Sequence, residues 1–185
     1  MKTTKYKRGF TLIEVLVSVG LFLMTILAIS QIFITVIRSE KVAYALLNSE
    51  NNIRNNLEMM AKTIRMGQNF DSSDQELCFD YYYADSGWTC LCYNLYYFDP
   101  QTNTYNIGIS SSPDPSKDNC KRINANYSSL LDRQIEVISG QFYQIGDGSN
   151  SQLSFLIQLE TQVNVRGANY PFHIETAVTS RYLGP

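Results

Sequence analysis

Apolar residues fall along this chain in two different rhythms. From Phe10 to Ile37 they are nearly continuous, with Glu14 as the only charge. A run of about 18 or more almost uncharged apolar residues has the length of a membrane-crossing helix. Beyond Arg38 the run breaks into a stripe: Val42, Leu46, Ile53, Leu57, Met60 and Ile64 recur at intervals of three, four and seven. That is the spacing of one helix face. Glu50/Arg54 and Glu58/Lys62 stand four apart on its polar side, and no proline occurs before Pro100. The pattern predicts one helix from about Phe10 to Met66, closed near Gly67 as a C′ residue. At 1.5 Å per residue it would be roughly 85 Å long. A bilayer core is only about 30 Å thick, so half of the helix must find its apolar partner outside the membrane.

After Gly67 the rhythm changes to alternation. Leu77–Ala84, Trp88–Phe98, Thr104–Ser110, Gln134–Ile145, Leu153–Val163 and Tyr170–Arg181 are rich in Tyr, Phe, Ile and Val and read as strands. Asp71-Ser72-Ser73-Asp74, Asp85-Ser86-Gly87, Asp99–Asn103, Gly146–Ser151 and Arg166–Asn169 carry loop and turn chemistry. Ser111–Asn119, with Pro113 and Pro115, reads as an irregular loop, and Leu130–Arg133 as a short turn or helix. Closely spaced consecutive strands imply an antiparallel sheet. One long helix against it is an α+β fold. The expected organisation is a leader over 1–9, a membrane half-helix over 10–37, an amphipathic half-helix over 38–66 and a β-rich domain over 67–185.

Charge gives this organisation a direction. Lys2, Lys5, Lys7 and Arg8 precede the apolar run with no acid among them, while the whole chain is formally −2. Without those four residues, 11 basic and 17 acidic remain, a formal −6. Basic residues before a membrane helix stay in the cytoplasm, so the body is expected outside. An acidic exported body gives no footprint for nucleic acid. All four cysteines, Cys78, Cys90, Cys92 and Cys120, lie in that body, where disulfides can form. Three pairings are open. Cys90 and Cys92 would share a strand face, which favours bonds from each to Cys78 and Cys120 over a bond between them. At least one disulfide is expected to tie the first sheet region to the proline-containing loop through Cys120.

Other chemistry is sparse. No Cys-x-x-Cys occurs and the only histidine, His173, is far from the cysteines, so no metal or other cofactor is expected. Asp114/Asp118 and Asp147/Asn150 lack calcium-loop spacing and read as solvated loops. Asn126-Tyr127-Ser128 matches a glycosylation acceptor. No nucleophile or base can be grouped with His173, so an enzyme is not expected. Tyr81, Tyr82, Tyr83, Tyr93, Tyr96 and Tyr97 cluster near Trp88. They suit either a contact surface or the alternation of a half-buried sheet, and the second is the simpler account.

The stretch Lys7-Arg8-Gly9-Phe10-Thr11-Leu12-Ile13-Glu14 resembles the type IV prepilin signature, shared by pilins and type II secretion pseudopilins. The resemblance implies a pilin-like α+β fold and a membrane peptidase/N-methyltransferase as partner. It implies a cut between Gly9 and Phe10, methylation of Phe10, and retention of the apolar helix. A small residue at the cut lets the backbone approach the peptidase. The resemblance also implies that Glu14 pairs with the free amine of a neighbouring subunit. A charged group in hydrocarbon costs about 2.5–3.5 kcal/mol and needs a partner. The implied localisation is the cytoplasmic (inner) membrane, N-terminus inside, and then an extracellular filament of minor and major subunits.

Major pilins often carry a proline in the apolar helix, and this chain has Gly20 there but no proline. Ala61-Lys62-Thr63-Ile64-Arg65, Leu130–Ile135 and the closing His173–Arg181 resemble J-type minor pseudopilins and W-type minor pilins. That implies a minor subunit near the filament tip that helps start assembly. A filament-displayed binding module, an adhesin or DNA-uptake tip, is the alternative.

Overall fold

The protein is described by a computed structural model covering residues 9–85, 87–113, 126–146 and 152–181. It contains one helix, α1 (Leu12–Met66), and eight strands. The chain divides into two compact units, one ending at Tyr44 and one beginning at Ala45.

In the first unit every side chain from Gly9 to Val36 is exposed, with Phe10 and Leu12 each at 80%. The hydroxyls within this apolar stretch satisfy themselves. Ser18 donates to the Glu14 carbonyl at 2.7 Å, Thr25 to Phe22 at 2.7 Å, Ser30 to Ile26 at 2.8 Å and Thr35 to Gln31 at 2.9 Å. Such back-bonding removes the cost of carrying a hydroxyl where no water reaches. The helix is long and apolar enough to cross a membrane.

The second unit starts with the rest of α1. Ser49, Ile53, Leu57, Met60 and Ile64 are buried, so the predicted stripe is the packed face. Val42 and Leu46 are only half-buried. Glu50 and Arg54 close an ion pair at 2.9 Å on the outer side, worth a few tenths of a kcal/mol at this exposure. Gly67 follows the helix, but its role differs from that of a left-handed cap. A Cβ there would lie 2.4 Å from the Phe79 ring, so the position needs a close approach.

Two antiparallel sheets complete the unit, an α+β arrangement of the pilin kind. The first has the order β1 (Gln68–Ser72), β2 (Glu76–Tyr83), β3 (Gly87–Asp99), β4 (Thr104–Pro113) and β5 (Ser128–Ser129). The second has the order β6 (Ile135–Ile145), β7 (Ser154–Val165) and β8 (Ala168–Thr179). Two expectations need correction. Asp71 and Ser72 belong to strand β1, where Asp71 pairs with Cys78, because the hairpin turn takes only the residues after them. Strand β4 runs on to Pro113, since β3 offers partners as far as Thr89. Of the two readings of Leu130–Arg133, the turn is the one found. Its backbone is committed instead to Asn106, whose amide brackets Leu131 at 3.2 and 3.0 Å.

The core lies where α1 and both sheets meet. Phe70 reaches Phe79 at 5.3 Å and Phe155 at 4.9 Å between ring centres, joining β1, β2 and β7. Tyr93 is fully buried, and its hydroxyl meets Thr63 of the helix at 3.0 Å. Burial pushes that hydroxyl up to about 12, so it stays protonated and polar-satisfied. The sheets are also stitched through one turn: Leu95 N–H donates to the Gln75 carbonyl at 2.8 Å and Phe142 N–H to Asp74 at 2.7 Å.

Strand β6 crosses the first sheet at Gly140, where a Cβ would meet Leu95 Cβ at 2.6 Å and its backbone oxygen at 2.7 Å. Backbone cannot swing aside as a side-chain tip can. Gly140→Ala should therefore lower unfolding stability by about 1–3 kcal/mol, read from a denaturant midpoint. An unchanged midpoint would show that the two sheets slide freely.

Candidate functional site

The helix begins at Leu12, with Phe10 and Thr11 between it and the predicted leader junction. Thr11 is its N-cap: the Glu14 N–H reaches Thr11 Oγ1 at 3.4 Å and its carbonyl at 3.1 Å, and Val15 N–H reaches that carbonyl at 3.3 Å. A threonine here satisfies donors that the first turn cannot bond internally. Gly9 and Phe10 therefore precede the first turn, with their backbone outside the helical ladder. Both are exposed, and nothing lies within 4 Å of where a Gly9 Cβ would be. A peptide bond so placed is open to an enzyme that needs an extended strand.

Glu14 is the only acidic residue of the first turn. A carboxylate there is favoured by the positive end of the helix dipole. Among the described residues its side chain makes no hydrogen bond or ion pair. The site is thus a reachable peptide and, four residues on, an acid in an apolar stretch with no counter-charge among the described residues.

The cysteines sit elsewhere, on one face of the first sheet. Cys78 and Cys92 face each other across β2 and β3 and are bonded at 2.05 Å, with Cα atoms 4.1 Å apart. Closing a loop between residues 14 apart in sequence contributes about 3 kcal/mol in the chain-entropy account. Cys90, buried beside them, is also disulfide-bonded. Cys120 lies outside the described residues, as do Asp114, Asp118, Asp147 and Asn150. Glu76 stands with Cys78 and Cys92 as a potential ligand group, but sulfurs joined to each other are not thiolates. The Glu76 carboxylate instead accepts from the Tyr127 hydroxyl.

His173 lies on an exposed face between two acids, with Nδ1 at 3.5 Å from Glu160 and Nε2 at 3.3 Å from Glu175. Sequence reading missed that pairing, although Glu175 is two residues away and therefore on the same strand face. Glu160 needed the register, since it is the direct cross-strand neighbour. The tyrosine cluster does not form one patch. Tyr93 is core. Tyr96 stacks on Tyr105 at 4.0 Å, Tyr97 tilts against Tyr127 at 5.4 Å, and Tyr81–Tyr83 and Tyr82–Trp88 form edge contacts at 4.6 and 5.4 Å. Neighbours in a strand point to opposite faces, so a run of tyrosines is divided by the pleat.

Residues 4–30 match the family model of the prokaryotic N-terminal methylation motif. No curated protein and no solved structure matches the chain. The match covers the segment that holds Gly9, Phe10 and Glu14. With a membrane-length helix and a pilin-like α+β fold, it supports a prepilin of the type IV pilin or pseudopilin type. Such a protein is anchored in the membrane by a single helix, processed by a peptidase and assembled with other pilins.

Proposed function

We propose that this chain is a minor pilin or pseudopilin that helps initiate a type IV pilus or type II secretion-like filament and resides at its tip. The observation that carries the reading is the methylation motif running directly into α1, whose later half is packed in a β-rich unit. In this reading the peptidase/N-methyltransferase cuts after Gly9 and methylates Phe10. The 67–185 domain is outside, the 10–37 half-helix leaves the inner membrane on assembly, and Glu14 takes the amine of a neighbour. The role is structural, not enzymatic.

The minor role is supported by the missing helix proline and by the ending near Arg181. It is also supported by what the helix leaves uncovered: Leu47 is 55% and Met66 47% exposed in the second unit, apolar surface suited to partner subunits. Starting a filament is the costly step, because the first subunits leave the bilayer with few neighbours. Minor subunits packed together beforehand offset that cost. Deletion should leave the major pilin processed but held in the membrane. Quantitative proteomics of sheared filaments should find this chain at least about tenfold below the major subunit. Finding it as the bulk shaft subunit would refute the tip role.

A displayed binding module is the second reading, and one feature favours it. Strand β1 pairs with β2 only as far as Asp80, and β4 with β3 only as far as Thr89. Among the described residues, Tyr81–Tyr83 pair only with Gly87–Thr89, and Tyr82 is 58% exposed against Trp88. Tyr and Trp in such a place suit contact with another molecule. Under this reading deletion leaves normal filaments that fail to attach.

A further inference from the structure

A cavity of about 410 Å³ lies at the other end of the β3–β4 hairpin, walled by Tyr97, Asp99, Gln101, Tyr127, Ser129 and Arg133. Its size falls within the range of about 300–1,000 Å³ usual for small-ligand sites. The walls are fixed by bonds that serve the hairpin. Asp99 closes β3 and is only 8% exposed. Its Oδ1 accepts from Gln101 N–H at 2.8 Å, its Oδ2 from Ser129 Oγ at 2.7 Å, and its carbonyl from Asn103 N–H at 2.9 Å. The Ser129 hydroxyl, followed by the Gln101 amide, holds the carboxyl below its ordinary range, so Asp99 is a fixed anion and acceptor at neutral pH. The opposite side is set by Leu130 N–H on the Ile107 carbonyl at 2.9 Å and by the Asn106 bracket on Leu131.

What this frame leaves unused defines the ligand. Besides Ser129 and Gln101, Thr102 also bonds the Asp99 carboxylate through its side chain and backbone, and a carboxylate offers about four lone-pair sites. Among the described residues the side chains of Arg133 and Gln101 make no hydrogen bond or ion pair, and the Tyr97 hydroxyl makes no hydrogen bond. One fixed anion and one free guanidinium nearly cancel, which disfavours a phosphate. The rings of Tyr97 and Tyr127 are inclined at 44°, so they do not form the parallel slot that a planar base would need. A purely apolar ligand would strand the polar walls without partners. A sugar ring meets all of these conditions. Its C–H face is apolar enough to lie on an aromatic ring, and its hydroxyls both donate and accept.

We propose that the cavity binds a pyranose ring of a glycan. The ring packs on Tyr97 and Tyr127, its hydroxyls donate to Asp99, and it accepts hydrogen bonds from Gln101 and Arg133. This site goes beyond the filament role and does not depend on it.

The test uses the full chain in a detergent without a sugar headgroup, passed over surfaces bearing glucose, galactose, mannose, N-acetylglucosamine or glucuronic acid. Dense display compensates for weak single-site affinity. Saturable retention on at least one surface is expected, with release by the same free sugar. Tyr97→Ala and Arg133→Ala should each lower retention about tenfold at an unchanged thermal midpoint. Arg133 is exposed and unpartnered, so its variant keeps the test sound even if Tyr97→Ala disturbs the sheet. Preference for glucuronic acid that vanishes in Arg133→Ala would identify the guanidinium as a carboxylate clamp. Retention on none of the five surfaces, or retention that both variants leave intact, overturns the proposal.

Discussion

Replacing Gly9 by leucine leaves the chain at its full length, with Met1 still at its N-terminus. Nothing lies within 4 Å of the position a Gly9 side chain would take, and Gly9 precedes the first turn of α1. The substitution therefore costs the fold nothing, and any effect belongs to the encounter with the peptidase. There the side chain stands between the scissile backbone and the catalytic groups. Processing should fall at least about 100-fold, equivalent to about 2.7 kcal/mol of lost transition-state binding. Mass spectrometry of the membrane fraction separates a chain beginning at Met1 from one beginning at methylated Phe10. A mature Phe10 terminus in the leucine variant would show that the cut needs no small residue at position 9. An uncut wild-type chain in a host with an active prepilin peptidase would remove the junction altogether.

Glu14→Val is expected to separate processing from assembly. The variant should be cut and methylated like the wild type yet be reduced at least about tenfold in sheared filaments. Glu14 contributes its backbone N–H to the Thr11 cap, and valine keeps that group. What is lost is a carboxylate that has no partner of its own among the described residues. Such a charge persists in hydrocarbon only if something answers it, and a neighbour's terminal amine has the right sign and the right depth. Wild-type incorporation of the valine variant would show that this subunit enters the filament without the contact. A normal thermal transition of the β-rich unit is the control that failure lies in assembly.

Much of this was legible along the chain because the signals are local. Three- and four-residue spacing marked Ile53, Leu57, Met60 and Ile64 as the packed face, and they are buried. Alternation located six of the eight strands found among the described residues. The two that were missed, β1 and β5, are five and two residues long and have no pattern of their own. They are strands only because β2 and β4 offer them an edge, through pairs such as Asp71↔Cys78 and Gly108↔Ser129. The same limit hid the facing of Cys78 and Cys92, since a shared face can be read within a strand but not the register between strands. The methylation motif was readable because it is contiguous. The cavity beside Asp99 was not, because it joins a hairpin turn to Ser129 and Arg133, far along the chain.

One closing contact constrains how the β-rich unit comes into being. The Arg181 N–H bonds the Arg65 carbonyl at 3.0 Å, and Ser180 Oγ reaches the Gly67 carbonyl across a separation of 113 residues. Val178, just before them, is part of the core. A chain that emerges from its N-terminus thus presents Ile53, Leu57, Met60 and Ile64 long before β8 arrives to help cover them. Contacts this distant in sequence form slowly, and uncovered apolar surface invites the wrong company in the interval.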